Sequence, residues 1–253
     1  MSVGTRAERS QWLETVIIVI EALAIAMFVR IFFYQPFNIP SGSMKETLLI
    51  GDYLFVSKLS YGYSKYSFPF SPDLFSGRIF AAEPKRGDVA VFKLPRDNST
   101  DYIKRVIGLP GDEVQMRGGV LYINGQAVPK VPAGAFVTGE DGGPPQRIPV
   151  FEETLPNGVK YKVLDSEPDG PYDNTAPYKV PEGHYFMMGD NRDNSTDSRV
   201  RGAVGYVPLE NFIGRAEIIF FSAAVDDPNA LRWWSPWTWP FDIRWSRFFN
   251  LVR

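Results

Sequence analysis

Residues 15–29 read TVIIVIEALAIAMFV, and no other stretch restricts the fold of the chain as strongly. The run is apolar except for Glu21, and its apolar character continues to Tyr34 around Arg30. With Trp12 and Leu13 it reaches the roughly 20 residues that a membrane-spanning helix needs. Trp12 at one end and Phe32, Phe33 and Tyr34 at the other suit the aromatic belts of a bilayer interface. Glu21 weighs against a simple span, since a carboxylate at mid-membrane costs on the order of 3 kcal/mol unless protonated or paired. A cleavable leader is one rival reading, because Ala22-Leu23-Ala24 has the A-x-A shape, but the triplet lies inside the run rather than beyond it. A buried helix of a soluble protein is the other, and such length without a polar face is unusual there. The expectation is an uncleaved anchor at 12–34 behind a short cytoplasmic N-terminus at 1–11. Arg6 and Arg9 favour that orientation, while Arg30 and Lys45 beyond the span weaken the charge asymmetry.

Past Asn38 no long stretch has helical apolar spacing. Short β-branched and aromatic runs take its place at Tyr53–Val56, Asp88–Lys93, Tyr102–Ile107, Val120–Ile123, Tyr185–Met188 and Glu217–Phe221. Turn signals such as Pro110-Gly111-Asp112, Gly118-Gly119, Asn124-Gly125 and Asn157-Gly158 separate them. The 22 glycines and 21 prolines exceed the usual share of roughly an eighth, as many short strands require. The expected class is mainly β: one transmembrane helix, then a mostly antiparallel catalytic sheet domain with an inserted β lobe. The sheet domain is placed at 35–124 and 182–225. The stretch 125–181 changes character, with a hairpin expected across Asn157-Gly158 and then an acidic, proline-marked segment, and is read as the inserted lobe. A tail at 226–253 holds five of the chain's tryptophans between Trp233 and Trp245, interleaved with Arg232, Arg244 and Arg247. Either it lies at a membrane interface or it packs on the domain.

The scarce residues narrow the chemistry. The chain has no cysteine, which removes disulfides, thiolate catalysis and cysteine zinc sites. His184 is the sole histidine, so multi-histidine metal centres are excluded and a Ser-His-Asp triad would have to use it. It opens a strand-like segment, where a lone histidine is ordinarily structural. A net charge of −2 without a basic block gives no case for nucleic acid.

Two serines flank a glycine in NIPSGSMKETLLIGD, residues 38–52, either as turn residues or as a nucleophile on a tight bend. A serine needs a base, and a lysine serves only if burial lowers its pKa from about 10.4 toward neutrality. Lys104, inside the apolar run YIKRVI, meets that requirement; Lys104 and Arg105 point to opposite faces of a strand. The alternative is an edge-strand lysine that guards against aggregation. The loop GDNRDNSTDSRVRG, residues 189–202, offers Asp190, Asp193, Asn194 and Asp197 as oxygen ligands, yet Arg192, Arg199 and Arg201 interleave with them. Internal Asp–Arg pairing fits it better than a cation site.

In order along the chain, PSGSM after a span, RGDVAVFK, YIKRVIGLPGD and MGDNRDNSTDSR together resemble the bacterial type I signal peptidases, membrane-anchored leader peptidases with a Ser/Lys dyad. The resemblance runs from the anchor to about Phe221. It implies Ser43 as nucleophile and Lys104 as general base. It also implies an oxyanion hole from the Ser41 hydroxyl and the Ser43 backbone N–H. Ser195 would hydrogen-bond the lysine, with the Asp197/Arg199 ion pair behind it. Gly189 and Asn191 would be framework residues and Arg105 a structural neighbour. Phe37, Ile39, Met44, Leu48, Tyr102 and Ile103 would contact a substrate with small side chains at the −1 and −3 positions.

The same resemblance implies no metal and no cofactor. The implied partners are preprotein signal peptides, the lipid bilayer and the protein-export machinery. The implied location is the bacterial inner (cytoplasmic) membrane, single-pass, with the catalytic domain on the periplasmic face. Ser43 follows Tyr34 by nine residues, so even fully extended it stays within roughly 30 Å of the membrane face. One departure stands out: family members often carry proline two residues after the SGSM methionine, where this chain has Glu46. Two other readings compete, a self-cleaving regulator like the SOS repressors and a non-catalytic membrane-anchored scaffold for extended peptides. The anchor argues against the first, and the full set of dyad and support residues against the second.

Overall fold

The computed structural model describes residues 4–73, 75–138, 146–225 and 235–253. Arg232, Trp233 and Trp234 of the tail, and part of the lobe, lie outside the described residues. The N-terminal apolar run forms helix α1, Gly4–Phe32. Its Gln11–Phe32 portion is one helix long and apolar enough to cross a membrane, with mean hydropathy 2.4 and none of that window buried. The helix stops two residues short of the expected anchor end, because Tyr34 already opens strand β1, Tyr34–Asn38.

β1 pairs antiparallel with β2, Asp52–Ser57. The main sheet continues through β3, Val89–Lys93, and β4, Asp101–Gly108. The chain then leaves this sheet. β5 (Glu113–Arg117), β6 (Val120–Ile123) and β7 (Gln126–Ala127) form successive hairpins. Their turns use left-handed backbone at Gly118-Gly119 and Asn124-Gly125, as two-residue hairpin loops require. A second small sheet holds β8 (Lys130–Thr138), β9 (Gln146–Thr154) and β10 (Lys160–Leu164). β11, Tyr178–Lys179, returns to pair with β5. β12 (His184–Met188), β13 (Val207–Pro208) and β14 (Phe212–Ser222) then rejoin the main sheet. Its order is β1-β2-β14-β3-β4-β12-β13, antiparallel throughout. The excursion between β4 and β12 is therefore wider than 125–181, because β5 and β6 pair with each other rather than with the main sheet.

Three buried clusters follow from the alternation of these strands. Ile39, Met44, Leu48, Leu54, Val56 and Val91 pack on one side of the main sheet. Ala90, Phe92, Val106, Tyr185 and Phe212 form a second cluster. Ile107, Val114, Leu121, Val163 and Phe186 join the smaller sheets to the main one. A short helix α2, Trp239–Asp242, precedes the last segment, which packs back on β14 through Phe249 N–H to Ile219 O (2.7 Å) and Val252 N–H to Glu217 O (2.9 Å). Trp237, Phe241, Trp245 and Phe249 nevertheless remain exposed. The described part of the tail thus docks by its backbone while these aromatic rings face outward.

Candidate active site

The bend at SGSM is a single 3-10 turn, Gly42–Met44, entered from extended backbone at Ser41. Asn191 holds it from behind, its N–H donating to Ser43 O and its side-chain amide to Gly42 O, both at 3.1 Å. The turn presents the Ser43 hydroxyl to β4, where Lys104 Nζ donates to Ser43 Oγ at 2.7 Å and to Ile103 O at 2.8 Å. Ser41 Oγ lies 3.4 Å from Ser43 Oγ. β4 runs between β3 and β12 and leaves Lys104 only 4 % exposed, so it is not a solvated edge guard. Burial lowers its pKa to about 8, against the opposing pull of Asp197 and Asp190. A substantial neutral fraction near neutral pH is what a lysine base requires.

Arg105, on the opposite face of β4, is not solvated either. It is fully buried, with its guanidinium forked on Asp190 at 2.8 and 2.6 Å, a further bond to Gly87 O, and its plane over the Tyr161 ring. Asp190 also accepts from Thr47 just after the nucleophile turn. Both faces of β4 at this point are therefore buried, one against Ser43 and the other against Asp190.

The loop 189–202 pairs internally only in part. Arg199 forks onto Asp197 at 2.9 and 2.8 Å, and burial, which raises a carboxyl pKa, is outweighed by Arg199 and the Gly189 N–H so that Asp197 is held below the ordinary range. Asp190 pairs outward with Arg105, and Arg192 with Glu153 of β9, whose carboxylate also accepts from Tyr161. Asp193 accepts the backbone N–H groups of Ser166 and Glu167. Ser195 is a correction: its buried hydroxyl makes no hydrogen bond to Lys104 and helps hold the Asp197 carboxylate below the ordinary range. It packs against Gly189 instead. A Cβ on Gly189 would stand 2.2 Å from Ser195 Oγ and 2.6 Å from Ser43 O, so only glycine lets both approach. Gly189→Ala is expected to lower turnover by at least about 10-fold and stability by about 1–3 kcal/mol, measured by kinetics and thermal unfolding. An unchanged turnover would show that the Ser43 turn tolerates displacement.

A groove of about 390 Å³ opens onto the pair, lined by Phe37, Ile39, Ser41, Tyr102, Ile103 and Lys104 among others. Met44 and Leu48, expected to touch substrate, are 0 % exposed and belong to the core cluster instead. They follow the bend on its inner side, so the turn that exposes a path to Ser43 turns them inward. Val91, Asp101, Asn194 and Thr196 line the groove without having been anticipated. Asn194 and Thr196 flank Ser195 in the polar loop, and Asp101 precedes Tyr102, so adjacency to expected residues was the available signal. β12 pairs with β4 only from Arg105 onward, which leaves the groove side of residues 101–104 without a strand neighbour. His184 lies elsewhere, its Nδ1 against Glu182 O.

The position of Glu46 explains the departure noted in the motif. Its φ is 79°, a left-handed value closed to proline, whose ring fixes φ near −65°. Its carboxylate pairs with Lys162 of β10 at 2.9 Å, tying the nucleophile loop to the small sheet.

A serine hydroxyl bonded to a buried lysine at the head of an open groove is the geometry of a serine hydrolase that employs lysine where others employ histidine. The family model described as signal peptidase, peptidase S26, matches residues 12–221. Signal peptidase I of Rickettsia typhi (strain ATCC VR-144 / Wilmington) is 48 % identical over 221 residues, 84 % of this chain and 79 % of that one. Signal peptidase I of Rickettsia prowazekii (strain Madrid E) is 46 % identical over 220 residues, with the same shares covered. A solved signal peptidase I from Enterococcus faecalis V583 is 27 % identical, with a TM-score of 0.30 over 53 % of this chain and 97 % of that one. The chain belongs to the signal peptidase family, peptidase S26.

Proposed function

We propose that this family member is a membrane-anchored serine endopeptidase that removes N-terminal signal peptides from exported preproteins, with Ser43 as nucleophile and Lys104 as general base. The observation that carries the reading is the 2.7 Å hydrogen bond between Lys104 Nζ and Ser43 Oγ, both buried at the head of the groove. Neutral Lys104 takes the Ser43 proton as Oγ attacks the scissile carbonyl. The Ser41 hydroxyl and Ser43 N–H then stabilise the oxyanion, an effect worth about 3–4 kcal/mol per donor. Protonated Lys104 gives its proton to the departing amine, and neutral Lys104 later activates the water that releases the acyl group.

An extended substrate lies along the unpaired side of residues 101–104, opposite β1. Phe37, Ile39, Tyr102 and Ile103 leave room there for small side chains of the A-x-A kind. Asp197 and Arg199, buried behind the loop, hold it against Ser43 through Gly189 and Asn191. Arg105 performs the same service from the other face of β4.

The helix serves as a single-pass anchor in the bacterial inner membrane, with the N-terminus cytoplasmic and the sheet domain on the periplasmic face. The exposed rings of Trp237 and Trp245 lie at the bilayer interface in this reading, and the export machinery delivers the substrate. The main sheet, β1 to β4 with β12 to β14, acts as the catalytic body, and the excursion between β4 and β12 as an accessory lobe.

The test is cleavage of a preprotein carrying an A-x-A site by the purified chain in detergent. Processing at that site by the wild type, and none by Ser43→Ala, is the expected result; release of a peptide at some other site would overturn the substrate assignment. The pH profile supplies an independent check. Burial favours the neutral amine, so kcat/KM is expected to rise tenfold per unit at low pH and level off above about 8. A flat profile between pH 6 and 10 would remove Lys104 from the role of base.

A further inference from the structure

The end of α1 is closed by the sheet domain in an unusual way. An α-helix leaves its last carbonyls without intrahelical partners. Here four successive carbonyls, from Arg30 to Phe33, are all taken by two residues of the sheet domain. Lys58 Nζ donates to Arg30 O at 2.9 Å and Ile31 O at 3.2 Å, and Lys58 N–H donates to Phe33 O at 2.9 Å. Tyr63 OH donates to Phe32 O at 2.5 Å. The third proton of Lys58 Nζ goes to Ser67 O at 2.5 Å, which ties the same ammonium to the segment that follows β2. Phe32 and Phe68 add an edge-on ring contact across this junction.

Lys58 is 1 % exposed, one of the most deeply buried side chains of the protein, and the reaction described above makes no use of it. Burial and then the neighbouring Arg30 lower its pKa to about 8. A cation there complements the negative end of the helix dipole. Its place in the chain matters as much. It directly follows β2, whose other end, Asp52, receives the nucleophile loop and accepts Leu49 N–H at 2.8 Å. β1 runs alongside β2 from the helix to the groove, Tyr34 opposite Ser57 and Asn38 opposite Tyr53. Five paired residues at about 3.3 Å each make a stiff spacer of roughly 17 Å between the helix end and the groove.

We propose that Lys58 is a positioning residue that locks the membrane helix to the catalytic sheet, so that Ser43 meets a membrane-inserted substrate at a fixed height and angle. The inference rests on the peptidase reading and extends it: the rigid junction matters only when the substrate, too, is held by the bilayer. A soluble peptide diffuses to the groove whatever the helix does.

The experiment compares wild type and Lys58→Met, reconstituted in phospholipid vesicles, on two substrates: a preprotein inserted in the same bilayer and a short soluble peptide with an A-x-A site. Lys58→Met is expected to lose at least tenfold in kcat/KM on the inserted preprotein and to stay within about twofold on the peptide. Lys58→Arg, which keeps a cation and several donors, is expected to recover part of the loss. The absence of cysteine allows a second readout, spin labels at Leu13→Cys and Phe80→Cys, both exposed positions. The distance distribution between them is expected to be narrow in wild type and broad in Lys58→Met.

Equal losses on both substrates, or an unchanged distance distribution, would overturn the proposal. Should Lys58→Met fail to fold, Tyr63→Phe removes one cap bond from a half-buried site, and the same selective loss, smaller in size, is required of it. Failure of the wild type to cut either substrate would count against the peptidase reading, and the distance measurement would then decide the role of Lys58 alone.

Discussion

Lys104→Met is expected to lower the turnover of preprotein cleavage by about 10⁴-fold while KM and the unfolding temperature stay close to those of the wild type. Methionine matches the length of the lysine stem and suits the surroundings that hold Lys104 at 4 % exposure. What it lacks is the amine that sits 2.7 Å from Ser43 Oγ. Without it the hydroxyl keeps its proton, and no histidine stands nearby to replace the base, since His184 bonds Glu182 elsewhere. Ser43→Ala is expected to cost as much, and the double variant no more than either single one, because the two groups act as a unit. Rates are read from the appearance of mature protein under single-turnover conditions. Turnover above about 1 % of wild type in either variant would be incompatible with the dyad.

Asp190→Ala is expected to destabilise the fold by about 3–5 kcal/mol, the usual consequence of stripping one partner from a buried ion pair. Arg105 would keep its charge, fully buried, with backbone oxygens, the Thr47 hydroxyl and the face of the Tyr161 ring remaining. Thr47 would lose its acceptor as well, leaving the Asn191 bonds to Gly42 O and Ser43 O to join the Ser43 loop to the loop at 189–202. Activity is therefore expected to fall before the protein unfolds. Asp190→Asn, which retains one acceptor and the shape, is expected to lose less of both. Denaturant unfolding measures the stability change, and an effect under about 1 kcal/mol for Asp190→Ala would mean that Arg105 finds compensation nearby.

Asp190 also illustrates what could be read from the chain. As one carboxylate in GDNRDNSTDSR, it has Arg192 and Arg199 in the same stretch, and local spacing pairs it with those. The fold pairs it with Arg105, 85 positions away, and leaves Arg199 to Asp197. Ser195 shows the reverse case. Its motif position was legible, but its hydroxyl turns toward Gly189 rather than Lys104. Met44 and Leu48 sat close enough to Ser43 to suggest substrate contact, yet Met44 at the end of the 3-10 turn and Leu48 four residues beyond it both land in the core.

β2, β3, β4, β12 and much of β14 were legible because their β-branched and aromatic runs alternate between turn residues, whereas the two-residue β13 was too short to show a pattern. β1 was hidden by its continuity with the apolar helix: Tyr34 belongs by composition to the anchor and by backbone pairing to the sheet. The strands β8, β9 and β10 pair mainly within their own small sheet, and their partly exposed faces blur the alternation that would have marked them. Lys58, between Ser57 and Leu59, carries no signal at all, since its role depends on where the helix ends in space.

The sequence by itself determined the helix, the β character and the family resemblance, because these rest on local composition and on the order of a few short motifs. Only the tertiary structure decided which buried charges pair, which neighbours of Ser43 face the groove, and how the helix is fastened to the sheet. Those choices depend on contacts between segments distant in sequence, and a buried charge takes whatever partner the packing brings within hydrogen-bond reach.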